Sequence, residues 1–118
     1  MSFINYEDED FRTNLRNRIK IKLSITNDNE EQDDLLDVLC DDAYNYMMIY
    51  FDDKVPQELQ FVIENVVIKR YRRLGAEGIA IEKIDVLSTT YESGDDFAEY
   101  FDIMQKYKNK SRLGFRFL

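Results

Sequence analysis

Between Pro56, the only proline, and Gly75, apolar residues recur as Leu59, Val62, Ile63, Val66, Val67, Tyr71 and Leu74. Steps of three and four place them on one face of an α-helix. Proline suits the first helical position, where a missing N–H costs nothing, and glycine suits the left-handed position past the end. The stretch predicts a helix over residues 56–74 whose stripe must be covered by other elements.

The same period appears three more times. Phe11, Leu15, Ile19 and Leu23 predict a helix over residues 7–23. Leu35, Leu36, Leu39, Cys40, Ala43, Met47, Tyr50 and Phe51 predict one over residues 30–51, packed on more than one side. Either Asp28 with Glu31 or Asn29 with Gln32 offers it a capping box. Phe97, Tyr100, Phe101, Met104 and Tyr107 predict a last helix over residues 95–107, capped by Ser93 or Asp95. The short link over residues 52–55 makes the second and third helices antiparallel neighbours. In "GAEGIAIEKIDVLSTTYESG" the period breaks: Ile79 and Ile81 alternate, and β-branched and hydroxyl residues follow. That composition favours an extended or hairpin segment, which needs a partner strand or another subunit's edge. The expected fold is mainly α: a small antiparallel bundle of about four helices with this segment before the last one.

A chain of 118 residues fits one domain, and 44% apolar with 34% charged residues is a globular balance. No apolar run approaches the roughly 20 residues that cross a bilayer. The start, "MSFINYEDED", has acids where a signal peptide needs bases. With a single cysteine, Cys40, no internal disulfide forms, and the chain is expected in a reducing cytoplasm without membrane contact.

Charge is unevenly spread around a net −8. Residues 11–22 carry Arg12, Arg16, Arg18, Lys20 and Lys22 and no acid, whereas residues 28–42 carry eight acids and no base. Such blocks predict helix faces that pair with each other or with a neighbouring subunit. The net charge argues against binding nucleic acid through its phosphates. A basic knot nevertheless stands in "VIKRYRRLGAEG": Lys69, Arg70, Arg72 and Arg73. At the end of a helix these cations meet the negative end of the dipole, and their stems cover apolar surface. A recognition helix is disfavoured because the chain turns extended after Gly78. Every charge after Asp102 is also positive, from Lys106 to Arg116.

Chemistry is sparse. There is no histidine, the commonest general base and metal ligand. Cys40 lies on an apolar stripe beside acids, which makes it an inert core residue. "GAEG" lacks the lysine and hydroxyl residue of a phosphate-cradling loop. Asp34, Asp37 and Asp41 share a helix, where no turn wraps oxygens round an ion. No catalysis, metal or cofactor is expected.

The order of these pieces resembles the head–tail connector (adaptor) proteins of tailed bacteriophages, also called phage DNA-packaging connectors. The residues that carry the resemblance are the "DDLL" helix start at residues 33–36, Pro56, then Tyr71, Arg73, Leu74, Gly75, Glu77 and Gly78, and finally Ser88, Tyr91 and Glu92. It spans roughly residues 15–107 and leaves both ends outside. The resemblance implies a structural virion protein, made in the host bacterial cytoplasm. It implies a ring of about twelve copies beneath the portal, closed by a head-to-tail interface. DNA passes through without sequence-specific binding, and a stopper or tail-completion protein docks below. On this view residues 1–107 form the connector domain, with a flexible N-terminal start, and 108–118 a basic tail. Lys69, Arg70, Arg72, Arg73, Ile79, Ile81, Ile84 and Tyr91 are expected at the subunit interface. Lys108, Lys110, Arg112, Phe115, Arg116 and Phe117 are expected to dock on the portal. The alternative is a small acidic helical interaction or regulatory module.

Overall fold

Residues 2–77 and 95–116 are described by the computed structural model. They form four α-helices: α1 (Glu9–Lys22), α2 (Asp33–Tyr50), α3 (Gln60–Glu77) and α4 (Phe101–Arg116). Short 3-10 turns, Gln57–Leu59 and Asp95–Tyr100, lead into α3 and α4. Among the described residues no strand forms; one antiparallel bridge joins Phe3 to Pro56. The mainly helical fold is the one that the apolar periods predict. The extended or hairpin segment expected over residues 79–92 lies outside the described residues.

Each of α1, α2 and α3 packs on the other two, so they form a triangular bundle. Its core is the predicted stripes: Leu15 and Ile19, then Leu36, Leu39, Ala43 and Met47, then Val62, Ile63, Val66 and Val67. Phe97 and Met104 close it from the far end of the chain. The charge blocks of α1 and α2 do pair. Arg16 reaches Asp37 at 3.0 Å, and Lys20 reaches Asp33 at 2.8 Å. The higher number on α1 meets the lower on α2, so the two helices run antiparallel.

Five helix boundaries differ from expectation. Asp8 caps α1 by accepting from the Asp10 N–H, so the helix starts at Glu9. Neither capping box forms at α2, whose N-cap is Gln32 with no side-chain bond. The approach to α2 is held from outside by Lys20, whose ammonium donates to the carbonyls of Asn27 and Asn29 and to Asp33. Pro56 is extended, at φ −60° and ψ 135°, and precedes the helix instead of opening it. Gly75 is not the C-cap, because α3 runs on to Glu77. One glycine in a helix costs about 1 kcal/mol, which a stripe as buried as that of α3 outweighs. At the other end α4 continues past residue 107 to Arg116, so most of the expected tail is helical.

Residues 2–6 pack against the rest of the bundle. The Ile4 N–H donates to Val55 O at 2.8 Å and the Gln57 N–H to Ser2 O at 3.0 Å. Ile4 is buried, and Tyr6 stacks on Tyr44 with ring centroids 4.2 Å apart. After α2 the chain turns through Asp52 and Asp53, both at positive φ (54° and 70°). Aspartate tolerates that region better than most residues.

Candidate functional site

The basic knot sits on the last turns of α3, against the 3-10 turn that opens the final segment. Arg70 is buried, and its Nε donates to Asp96 Oδ2 at 3.0 Å. Arg73 grips the same carboxylate with both terminal nitrogens, at 2.8 and 3.4 Å. The Arg70 guanidinium also lies 5.7 Å from the ring centroid of Phe97. Burial works to raise the Asp96 carboxyl, but hydrogen bonds from Arg73 and Arg70 outweigh it and hold the group below its ordinary value. Lys69 pairs with Glu99 one turn further along. Three of the four cations therefore bond within the chain, and their partners are the acids of "GDDFAEY". A pairing across 26 residues leaves no signal of its partner in the sequence. Arg72 faces solvent.

A second buried carboxylate joins α1 to α3. Glu64 accepts from Arg18 at 2.8 Å, from Gln60 at 2.9 Å and from Lys22. Burial again works to raise it, and these donors together pull it below its ordinary value. Nothing in the α3 pattern marks Glu64 as buried, because one polar residue on the stripe looks like an edge position.

Between the N-terminal segment, α1 and α2 lies an open cleft of about 220 Å³, lined by Tyr6, Glu9, Arg12, Thr13, Arg16, Asp37, Cys40 and Asp41. Arg16 Nε is buried there without a protein partner. Burial first, then Asp37 and Asp41, push the Cys40 thiol far up, so thiolate is scarce. Burial likewise raises Asp37 despite Arg16 beside it. Among the described residues no cluster of three His, Cys, Asp or Glu could hold a metal ion, and no helix is long and apolar enough to cross a membrane.

Five of the six expected docking residues lie along α4. The Lys108 ammonium stands 4.7 Å from the Tyr50 ring centroid, and Lys110 stands 5.9 Å from that of Tyr107. Arg112, Phe115 and Arg116 fall on its last turns. Phe117, Ile79, Ile81, Ile84 and Tyr91 lie outside the described residues.

Buried charge in this molecule holds helices together, and the exposed aliphatic groups Ile21, Val38 and Ile49 lie on helix faces. That arrangement defines a small helical bundle protein. The sequence profile of the phage gp6-like head-tail connector proteins matches residues 17–108, from within α1 to within α4, and the chain belongs to that family. No curated protein and no solved structure matches it. Its general role is that of a phage head–tail connector, a structural component of the virion that interacts with other head or tail proteins.

Proposed function

We propose that the protein assembles as a closed ring beneath the portal of a tailed phage, lets the genome pass through its centre, and carries the stopper or tail-completion protein on its lower side. The family match over residues 17–108 carries this reading. The net charge of −8 agrees with it, since a surface that does not neutralise phosphate lets DNA slide. The function is mechanical, without catalysis, cofactor or membrane.

In this reading the end of α4 and the residues beyond it form the portal arm. Lys108, Lys110, Arg112 and Arg116 supply charge, and Phe115 and Phe117 supply apolar anchors. Residues 79–91, with Ile79, Ile81, Ile84 and Tyr91, reach the neighbouring copy. Of the knot, Arg72 is the cation available to that neighbour, because Lys69, Arg70 and Arg73 serve Glu99 and Asp96.

Native mass measurement with and without the portal protein tests the proposal. A multimeric ring on the portal is expected, and deleting residues 110–118 should abolish portal binding while the bundle stays folded. A chain that never associates with a portal, at any concentration, contradicts it.

A further inference from the structure

Two helix faces of the bundle stand exposed among the described residues, and they carry opposite charge, although Asp41 on one also accepts from the Tyr6 hydroxyl. On α2, Asp34, Val38, Asp41, Asn45 and Ile49 are all exposed. Their spacing of i, i+4, i+7, i+11 and i+15 sets them in one line about 22 Å long. Val38 is 40% exposed and Ile49 77%. The helix carries no basic residue, and Asp34 has no ion pair among the described residues. The line is therefore acidic with apolar anchors.

On α1, Asn14, Arg18 and Ile21 form the corresponding line, with Lys22 beside it. Ile21 is 67% exposed. Arg18 and Lys22 share the single carboxylate of Glu64, so two positive charges face one negative and the patch keeps a net +1. This line is basic with an apolar anchor.

We infer that the outward face of α1 in one copy docks on the outward face of α2 in the next. Opposite charge surrounds apolar anchors of similar size on the two faces, and burying Ile21, Val38 and Ile49 removes the largest exposed aliphatic groups of the two helices from water. In a triangular bundle the outward faces of two helices diverge, so these two cannot meet within one chain. A contact between unlike faces on the same chain is heterologous and repeats from copy to copy, closing into a ring when the rotation allows. The inference rests on the reading of the protein as a self-assembling connector and gives that assembly a specific surface.

Single charged substitutions at the two isoleucines test it. Ile21→Glu sets an acid against the acidic face, and Ile49→Lys sets a base against the basic face. Both positions are exposed, and lysine near the C-terminus of α2 suits the helix dipole, so both variants should keep the wild-type circular dichroism and melting temperature. Each variant alone, with portal present, should lower the assembled fraction at least about tenfold. Mixed, the two should regain assembly, because one contact in the mixture is wild type on both sides and the other sets the introduced acid against the introduced base. Native mass spectrometry reads this directly. Variants that assemble like wild type, or a mixture that stays monomeric, overturn the α1–α2 contact and leave the connector reading standing. Wild-type protein that forms no assembly with or without portal overturns both.

Discussion

Arg70 and Asp96 stand 26 residues apart in the chain and meet at 3.0 Å, with side chains only 9% and 5% exposed. Arg73 completes the cluster, so one carboxylate holds the end of α3 to the turn that leads into α4. Removing Asp96 leaves two guanidinium groups at the site, one of them buried. Asp96→Ala should therefore destabilise the fold by about 3–5 kcal/mol in urea unfolding. A loss below about 1 kcal/mol would mean that water screens the pair.

The two buried carboxylates also set an acid limit. Glu64 and Asp96 are both depressed below their ordinary values of 4.5 and 3.8. A depressed carboxyl contributes stability that is complete above the ordinary value and is lost as pH falls through the folded value. Melting temperature should hold steady from neutral pH down to about 5 and fall below that range. Glu64→Gln should lower the plateau and flatten the fall, because one of the linked protons is gone.

The N-terminal segment contributes to stability although it lies outside the family match. Deleting residues 1–6 removes the Ile4–Val55 hydrogen bond, the buried Ile4 side chain and the Tyr6–Tyr44 stack. A cost of about 2–4 kcal/mol is expected from losing a buried aliphatic and an aromatic contact. An unchanged melting temperature for the truncated chain would show that the segment is not held in solution.

Cys40 is 3% exposed, and burial beside Asp37 and Asp41 raises its thiol. Thiol reagents should label it only at the rate of unfolding and immediately in denaturant. Rapid labelling of the native protein would contradict its burial.

Arg72 separates the knot's internal role from an external one. Arg72→Glu should leave the melting temperature unchanged, because the side chain faces solvent. The same change should weaken ring or connector assembly if the knot meets a neighbouring copy. Reversing Arg70 or Arg73 cannot make this distinction, since each also breaks the Asp96 cluster.

Much of the fold was legible because burial acts on a period. The α3 stripe from Leu59 to Leu74 and the α2 stripe from Leu36 to Phe51 became core nearly residue for residue. The acidic and basic blocks of α1 and α2 paired as their signs required. The ends of helices were less legible. Gly75 lies within α3 because a cap signal worth about 1 kcal/mol yields to a long buried stripe. The α2 capping boxes failed because Lys20, from another helix, holds the residues in front of it.

The sequence by itself determined helix number, helix faces and family, because these depend on residues within one or two turns of each other and on their order. Only the tertiary structure decided which cations are free. Arg70 and Arg72 are neighbours of the same charge in one helix, yet one is buried on Asp96 and the other faces water. That difference depends on which side of α3 the distant Asp95–Tyr100 turn covers, and an ion pair across 26 residues leaves no periodic trace in the chain. For the same reason the exposed lines on α1 and α2 emerged only after packing: a helix shows its polar face in sequence, but what remains uncovered is settled by its neighbours in space.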